Sequence, residues 1–182
     1  MMSKTENPEN LTNSAKAAFE KKNYSEAARI FLQVIQNIDP DHQPVEHAEA
    51  CNNLSVALLK SGKPQSALDC VAGTDLIFAK HGLVNQQAMA LGNAGAALNE
   101  LRQFDEALEH YRRSAALFKE TGNDEMLSFV LREVSSLQLK RGKQVESLFA
   151  MDAALQSKQK LTWQESLLNK LMKIIHQVLK TG

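Results

Sequence analysis

Small and large apolar residues recur along the chain at a fixed spacing of 40 residues. One position of each copy holds a small residue, which is Ala27, Ala67, Ala107 or Ser147. Four positions later each copy has a bulky side chain, which is Phe31, Val71, Tyr111 or Met151. A small residue that faces a large one at matching height lets two helices approach closely and interlock. The pattern therefore predicts four stacked copies of one helical unit.

Polar and turn-forming residues follow the same spacing. Short polar stretches, such as "KKN" and "SGKP", separate the first helix of each copy from the second. The second helices are predicted to begin at Tyr24, Pro64, Phe104 and Gln144. Proline suits a first helical position, because its missing N–H has no partner there, and Gly82 and Gly122 are placed to end second helices in the left-handed conformation. Each copy is therefore predicted to be a hairpin of two helices of about 15 to 18 residues.

The repeat predicts three parts of the chain. Residues 1–10 are polar and are expected to form a flexible N-terminal segment, which is followed by four hairpins at about 11–40, 44–82, 84–122 and 124–158. Residues 161–182 are predicted to form one further helix, which begins with a capping box between Thr162 and Glu165 and covers the open end of the stack. The predicted fold class is an all-α, right-handed α-solenoid of helix-turn-helix hairpins with a C-terminal capping helix.

The order of these residues resembles the tetratricopeptide repeat (TPR) family between about residues 11 and 156. Leu54–Ser55 and Ala94–Gly95 are similar to the Leu-Gly pair of a TPR first helix, and the alanine of the second helix matches in three copies. The usual TPR period is about 34 residues, so the spacing resembles the longer repeats of kinesin light chains and of Rap-type peptide receptors. The resemblance implies a protein–protein interaction module.

Composition and charge exclude several classes of protein. Apolar residues make up 43% of the 182, enough for a packed core, and 21 Lys and Arg balance 21 Asp and Glu. Without net charge the chain has no overall field that attracts nucleic acid or an anionic membrane. Two cysteines, Cys51 and Cys70, predict a reducing compartment, with Cys51 a buried free thiol. No apolar run approaches ~20 residues and no secretory signal is visible, so a cytoplasmic protein is expected.

The residues offer no candidate catalytic, metal or cofactor site. The five histidines are scattered along the chain, and none is expected to pair with another metal ligand. The stretch "AGTD", residues 72–75, lies within a helical pattern and lacks the lysine of a phosphate-binding loop. The nucleophile motif of serine hydrolases is also missing. The chain is therefore predicted not to be an enzyme and to need no cofactor.

Asparagine occupies the same place in the first helix of three copies, at Asn13, Asn53 and Asn93, and Glu133 takes this place in the fourth. A primary amide both donates and accepts, so aligned amides can bond the backbone of an extended peptide. The TPR resemblance supports this hypothesis, because similar asparagine ladders hold peptides in the TPR superhelix of O-linked N-acetylglucosamine transferase. Two alternatives stay open: the amides are merely exposed, or they bond to each other along the stack. At about 0.5 to 1.5 kcal/mol per bond, three amides alone give weak binding.

Other first-helix residues are predicted to line the same concave face. The groove is expected to be small and apolar in its middle and basic toward Arg132 and Lys140. It lacks the Lys and Asn clamp with which TPR domains hold chaperone tails, so chaperone-tail binding is not predicted. The predicted peptide-binding residues are Asn13, Lys16, Asn53, Lys60, Met89, Asn93, Asn99, Phe129, Arg132, Glu133 and Lys140, and Thr12, Glu20, Glu49, Val56, Ala96 and Ser136 complete the lining.

The last helix carries apolar residues over more than one face, rimmed by Lys170, Lys173 and Lys180. Either one face caps the stack while the other contacts a partner or a second copy, or the helix folds into the groove. The predicted function is a non-enzymatic scaffold or adaptor that binds an extended segment of another protein. The alternatives are a regulatory peptide receptor and a self-associating assembly module that uses the last helix.

Overall fold

The computed structural model describes residues 7–158 and 160–181, which form helices joined by short turns. No β-strand occurs in these ranges, so the predicted all-α class is confirmed. The helices are α1 (Pro8–Glu20), α2 (Tyr24–Gln36), α3 (Pro44–Lys60), α4 (Pro64–Val71), α5 (Thr74–Lys80), α6 (Val84–Glu100), α7 (Phe104–Glu120), α8 (Asp124–Lys140), α9 (Gln144–Gln156) and α10 (Trp163–Thr181). The second helices of the four copies begin at the four residues that the repeat indicated.

A residue in the left-handed conformation ends the helix before each tight turn. Inside the hairpins its φ lies between 60° and 77°, and the residue is Lys22, Gly62, Arg102 or Gly142. Between hairpins it is Gly82 or Gly122. After α3, the Gly62 N–H donates to the Leu59 carbonyl and the Lys63 N–H donates to the Leu58 carbonyl, both at 3.0 Å. This Schellman pattern satisfies the last carbonyls of the helix and reverses the chain, and both predicted glycine caps are confirmed.

The second helix of the second copy is interrupted. α4 ends at Val71 and α5 begins at Thr74. Gly73 between them has a φ of 76°, which glycine adopts without the steric cost of a side chain. The Thr74 hydroxyl donates to the Val71 carbonyl at 2.8 Å and so satisfies a carbonyl at the end of α4. The prediction that residues 72–75 continue one helix is therefore wrong.

The first helix begins earlier than predicted, and three helices are shorter. α1 starts at Pro8 rather than near residue 11, because Asn7 Oδ1 accepts the Glu9 N–H at 3.1 Å and caps the helix. Helices α1, α2 and α9 have 13 residues, fewer than predicted, whereas α3, α6, α7 and α8 have 17. Residues 8–10 are thus helical, and residues 1–6 of the predicted flexible segment lie outside the described residues.

The chain divides into two compact units, the first of which extends to His110. Its core contains the small and large residues of the repeat, because Ala27 and Phe31 of α2 are both buried. They belong to one cluster with Leu54 and Ala57 of α3. A second cluster joins α3 to the helices that follow it, and its buried members are Ala48, Val71, Phe78, Ala90 and Ala94. Apolar contacts between small and large side chains therefore stack the helices of this unit.

The second unit begins at Tyr111 and contains the hairpin of α8 and α9, followed by α10. Two buried serines of α8 bond to α9: Ser128 Oγ donates to the Ala154 carbonyl and Ser135 Oγ to the Ser147 carbonyl, both at 2.9 Å. Short hydroxyl side chains reach a neighbouring backbone only where two helices lie close together. Small residues therefore set the close packing of this hairpin too, with hydrogen bonds added to the apolar contacts.

The last helix, α10, packs against α9 and buries the side chain of Met172. A reciprocal pair of bonds starts the helix: the Thr162 N–H donates to Glu165 Oε2 at 2.9 Å, and the Glu165 N–H donates to Thr162 Oγ1 at 3.3 Å. The predicted capping box is therefore confirmed.

The left-handed turn residues provide a test of what ends these helices. Replacing Arg102 by glycine is expected to raise the free energy of unfolding by about 1 kcal/mol, because a side chain in this conformation costs roughly 1–2 kcal/mol and the added flexibility of glycine offsets part of it. Gly62→Arg is expected to lower it by a similar amount. No heavy atom lies within 4 Å of the position that a Cβ would take at Gly62, so the cost is that of the backbone alone. Urea unfolding followed by circular dichroism measures both changes.

Arg102→Ala is the matched control, since it removes the same side chain and keeps a Cβ. It is expected to change the free energy of unfolding by less than about 0.5 kcal/mol. A loss of stability in Arg102→Gly would show that the arginine side chain, rather than the backbone conformation, is what matters at this turn.

Candidate functional site

An open groove of about 220 Å³ lies between α1, α2 and α3 in the first unit. It combines residues from the first helices of two successive copies with one residue of the helix between them. Its lining consists of Lys16, Phe19, Glu20, Phe31, Asn53 and Val56. Four of these, Lys16, Glu20, Asn53 and Val56, are among the side chains expected to line the concave face. The structure thus brings part of the predicted lining together.

Helix geometry places these side chains on one surface. Lys16 and Glu20 are four residues apart on α1, and Asn53 and Val56 are three apart on α3, so each pair occupies one face of its helix. Phe31, which is buried in α2, closes the groove from below. The two phenylalanines lie outside the predicted lining, because their spacing is that of core residues.

The groove joins an apolar floor to a polar rim. Phe19, Phe31 and Val56 supply apolar surface, and Phe19 is held by an edge-on contact with Tyr24 at a ring distance of 5.1 Å. The rim carries a cation at Lys16, a carboxylate at Glu20 and the amide of Asn53. A peptide group offers one donor and one acceptor, and this rim has partners for both. The arrangement can therefore hold a backbone segment over an apolar side chain, and it contains no nucleophile with an adjacent base.

One residue of the predicted asparagine ladder, Asn93, forms a hydrogen bond to an asparagine of the preceding copy. Asn93 Nδ2 on α6 donates to Asn52 Oδ1 on α3 at 3.3 Å, and Asn52 is 6% exposed. Asn53, the next residue, lines the groove, and Asn13 is exposed on α1. A bond along the stack was one of the two alternatives to peptide binding, and it occurs here with the neighbour of the predicted residue.

The remaining predicted residues of the first unit differ in exposure. Lys60 and Met89 are exposed, on α3 and α6. Asn99 is 7% exposed, so its side chain lies inside the unit and is not part of the accessible surface. Asn99 is the second-to-last residue of α6 and lies on the buried side of that helix.

In the second unit, the predicted residues lie along α8. Phe129, Arg132 and Lys140 are exposed and Glu133 is half-buried. Arg132 Nη1 lies 3.5 Å from Glu165 Oε1, and Lys158 Nζ donates to the same oxygen at 2.7 Å. These two cations hold the first turn of α10, so Arg132 has a structural partner that the sequence analysis did not anticipate.

A wider groove of about 770 Å³ in the second unit was not predicted. Its floor is made of alanine and leucine side chains of α7, α8 and α9, and cations stand at its edge. The cations are Arg112, Lys119 and Lys158, and the apolar residues are Ala115, Ala116, Leu127, Leu131 and Ala153. Alanines at close helix contacts are typical of core packing, so the sequence carried no signal for a groove here.

The outward face of α10 is apolar. Trp163, Leu167, Leu171 and Ile174 recur at spacings of four, four and three residues and are 51% to 75% exposed. We call these four residues the α10 stripe. Met172 points the other way and is buried, so one face packs on α9 while the other stays exposed, as the first sequence alternative described. Lys170 and Lys173 flank the stripe and are exposed, whereas the Lys180 side chain lies outside the described residues.

The described residues contain neither a metal-ligand cluster nor a membrane-spanning helix. In residues 7–158 and 160–181, no three side chains of His, Cys, Asp or Glu are grouped so that they could hold a metal ion. Across the same part of the chain, no helix has the length and apolar character needed to cross a membrane.

Comparisons with known proteins identify a family and a fold. The family model described as "SNAP: Soluble NSF attachment protein, SNAP" matches residues 1–175. No curated protein is similar enough in sequence to count as a match.

Solved structures provide the fold comparison. A Podosopora anserina protein with nearly identical TPR-like repeats, described as a kinesin light chain, has a TM-score of 0.70 and 14% identity, covering 97% of this chain and 96% of that one. A point variant with the same description has a TM-score of 0.65 and 13% identity, with full coverage of both chains. The MamA RS-1 ArsTM double mutant has a TM-score of 0.62 and 17% identity, covering 85% of this chain and 76% of that one. The TPR-like α-solenoid fold is therefore confirmed.

Glu165 makes the attachment of α10 sensitive to pH. The Lys158 ammonium, followed by the N–H and hydroxyl of Thr162, lowers the pKa of Glu165 from 4.5 to about 2. Because the folded pKa is below the ordinary value, the carboxylate stabilises this end of the chain above pH 4.5, and the contribution is lost as pH falls from 4.5 toward about 2. Amide hydrogen exchange in α10 is expected to accelerate over this interval, after correction for the intrinsic rate.

Glu165→Gln should exchange faster at neutral pH and lose most of the pH dependence. Glu146→Gln, which removes an exposed carboxylate from the first turn of α9, should behave like the unchanged protein. Equal pH profiles for the unchanged protein and Glu165→Gln would show that this carboxylate does not hold α10.

Proposed function

The chain belongs to the soluble NSF attachment protein (SNAP) family, and we propose that it is a non-enzymatic adaptor that binds an extended segment of another protein. The family name describes proteins that attach NSF, and attachment is a binding task that needs a complementary surface rather than a catalytic centre. The observation that carries the proposal is the groove of the first unit, where Lys16, Asn53 and Val56 meet over two phenylalanines.

The apolar floor of the groove favours a bound segment that carries an aliphatic or aromatic side chain. A groove of about 220 Å³ exceeds the ~150 Å³ cavity that accepts a benzene ring. An aliphatic or aromatic side chain of the bound segment therefore fits over Phe19, Phe31 and Val56. Burying such a side chain contributes about 1.5–3 kcal/mol, which makes it the main anchor.

The polar rim of the groove favours a bound segment whose backbone is extended. The Asn53 amide can donate to a peptide carbonyl and accept from a peptide N–H, and Lys16 and Glu20 offer a further donor and acceptor. Each bond contributes about 0.5–1.5 kcal/mol net. One anchor and a few such bonds, set against the freedom that is lost on association, give only weak binding. Tighter binding requires contacts beyond the groove, for which the exposed Asn13, Lys60 and Met89 are proposed.

Packing prepares the site before binding. Phe31 is buried in the core and Asn53 sits on a 17-residue helix, so the floor and the rim lose little freedom when a segment binds. The bound segment loses most of the entropy, as expected for an adaptor whose surface is built before its partner arrives. In the second unit, Phe129, Arg132, Glu133 and Lys140 are proposed as additional contacts on α8.

Site-directed photo-crosslinking can identify the partner segment. A benzophenone amino acid at Val56 is expected to capture a short extended segment, which mass spectrometry of the adduct identifies. The control position is Gln33, which is exposed on α2 and about 200° around the helix from Phe31. Adducts at both positions, or at neither with a partner still bound, would contradict a groove-bound segment.

A synthetic peptide of the captured segment then tests the roles of floor and rim. Asn53→Ala is expected to weaken binding by about 2- to 12-fold, the equivalent of one hydrogen bond. Val56→Asp is expected to weaken it more than about tenfold, because a carboxylate replaces part of the floor. Gln33→Ala, the matched amide control, should leave the affinity unchanged in isothermal titration calorimetry. Unchanged affinity in both groove variants, with folding verified by circular dichroism, would disprove the proposed site.

A second candidate function, self-association, is favoured by the α10 stripe. Its spacing of four, four and three residues keeps the four side chains within about 80° of one another around the helix, so that they form one apolar seam. Its two leucines lie two residues on either side of Asn169, so an antiparallel pair of helices centred on Asn169 would place Leu167 of one copy against Leu171 of the other. Glu165 is already paired with Lys158 and Arg132 of its own chain, so apolar complementarity is what favours a second copy as the occupant.

Light scattering after size-exclusion chromatography tests this second function. The unchanged chain is expected to elute at twice its chain mass, and Leu167→Glu with Leu171→Glu at the mass of one chain, because two carboxylates cannot be buried in the seam. Both residues are exposed, so the variant should stay folded. Gln144→Glu, an exposed position on α9 outside the stripe, is the control and should remain dimeric. A single-chain mass for the unchanged protein at every concentration would exclude self-association.

A further inference from the structure

The two cysteines of the chain lie next to each other in the hairpin of α3 and α4. Cys70 Sγ on α4 donates to the Cys51 carbonyl on α3 at 3.6 Å, although 19 residues separate them in sequence. Cys51 is 7% exposed and Cys70 is half-buried, and both are free thiols. Neither has a place in the proposed binding groove, so their proximity calls for a separate explanation.

The other copies of the repeat have no cysteine at these places. Where the second copy has Cys51, the others have Leu11, Leu91 and Leu131. Where it has Cys70, the others have Ile30, His110 and Ala150. The second copy therefore replaces a shared leucine with Cys51 and is the one copy with cysteine at the other place, and the two positions face each other across one hairpin.

We propose that Cys51 and Cys70 form an oxidisable dithiol, which a low-molecular-weight disulfide such as glutathione disulfide converts into an intramolecular disulfide between α3 and α4. The inference rests on the geometry of the hairpin and goes beyond the proposed adaptor function. Its consequence is a covalent bond between two helices that are otherwise held by side-chain packing.

The hairpin can accept such a bond. A disulfide needs Cα atoms about 4.4–6.8 Å apart, which two helices reach only where small residues separate them. Ala48 of α3 and Ala67 of α4 are fully buried on either side of the pair. α4 has only 8 residues and ends at the break before Gly73, so it can move toward α3 without shifting α5. The same short helix can open locally and admit the oxidant.

The surroundings favour Cys51 as the attacking thiolate. A hydrogen bond from the Cys70 thiol lowers the pKa of Cys51, against the opposing effect of burial. The same interaction, together with burial and the nearby Asp69, raises the pKa of Cys70. His47 Nδ1 lies 3.8 Å from Cys51 Sγ, one helical turn away. The expectation that no histidine pairs with another ligand-type residue was wrong for His47 and Cys51, which are four residues apart on α3.

The reaction balances in two exchange steps. The Cys51 thiolate attacks one sulfur of glutathione disulfide, which breaks its S–S bond, forms a mixed disulfide and releases one glutathione thiolate. The Cys70 thiol then loses its proton, and its sulfur attacks the Cys51 sulfur, which releases the second glutathione. The protein loses two electrons and two protons, and the oxidant becomes two molecules of glutathione.

The full chain can be tested directly with glutathione disulfide. Peptide mapping without reduction is expected to show one linked pair of peptides containing Cys51 and Cys70, and free-thiol assays in denaturant should show both thiols consumed. The bond closes a loop of about 20 residues, so the midpoint of thermal unfolding of the first unit should rise by about 5 °C or more. Dithiothreitol should reverse both changes.

Repeat-matched variants serve as controls. Cys51→Leu and Cys70→Ile restore residues found at these places in other copies, and Cys51→Ser and Cys70→Ser are alternatives should either variant misfold. Each is expected to form no internal link and to show no rise in the unfolding midpoint. Because Cys70→Ser keeps a hydroxyl donor next to Cys51, it should react with glutathione disulfide at least about tenfold faster than Cys51→Ser, which a structural role alone would not produce.

Three results would overturn the proposal. The first is that both thiols stay free in the folded protein under glutathione disulfide conditions that do oxidise the denatured chain. The second is a stable mixed disulfide on either cysteine without an internal link. The third is a link that forms only between two chains.

Discussion

Chain reversal at a left-handed residue is the constraint on which the arrangement of helices depends. The N–H groups after each such residue bond to the carbonyls of the last helical turn, so the helix ends at a defined residue and the next begins two residues later. Helix starts recur every 20 residues from Tyr24 to Gln144, apart from the extra start of α5 at Thr74. The start of α3 at Pro44 keeps this register although the longer link before it, residues 37–43, has no left-handed residue. In the first unit, this regularity places Lys16 and Val56, which are 40 residues apart, in the lining of one groove. A turn longer by one residue would rotate one helix by about 100° and separate these side chains.

The parts of the fold that repeat could be predicted from the sequence, and the parts that occur once could not. Gly82 and Gly122 carry their own signal, because glycine favours the left-handed conformation that both adopt. Lys22 and Arg102 adopt it without such a signal, and only the register with Gly62 and Gly142 identifies them. The break at Gly73 shows the limit of this reasoning. One glycine within an otherwise helical pattern is tolerated in many helices, and the bond from the Thr74 hydroxyl to the Val71 carbonyl spans only three residues and can also form within a continuous helix.

The side chains of the candidate site also divide into those that the repeat predicted and those that it did not. Periodicity indicated which residues of α1 and α3 share a face, and Lys16, Glu20, Asn53 and Val56 do line one groove. It could not separate core phenylalanines from groove phenylalanines, because Phe31 is both buried and part of the lining. Nor did it anticipate that Asn93 bonds to Asn52, because Asn52 and Asn53 lie about 100° apart around α3 and the repeat alone does not specify which amide faces α6. Such choices depend on how each helix is oriented about its own axis in the packed structure, which hydrophobic patterning specifies only coarsely.

Departures from the repeat are where specific function is expected in a stacked protein, because the shared positions are occupied by stacking. The second copy departs at Cys51, at Cys70 and at the break before Gly73, all within one hairpin. The α3 helix of this hairpin also carries Asn53 and Val56, which form one wall of the groove. A disulfide between α3 and α4 would therefore act on the same helix that is proposed to hold the partner segment. If the bond shifts α3 by even a fraction of an ångström, the distance across the groove from Asn53 to Lys16 changes with it, and affinity would follow the redox state without any ligand reaching the cysteines.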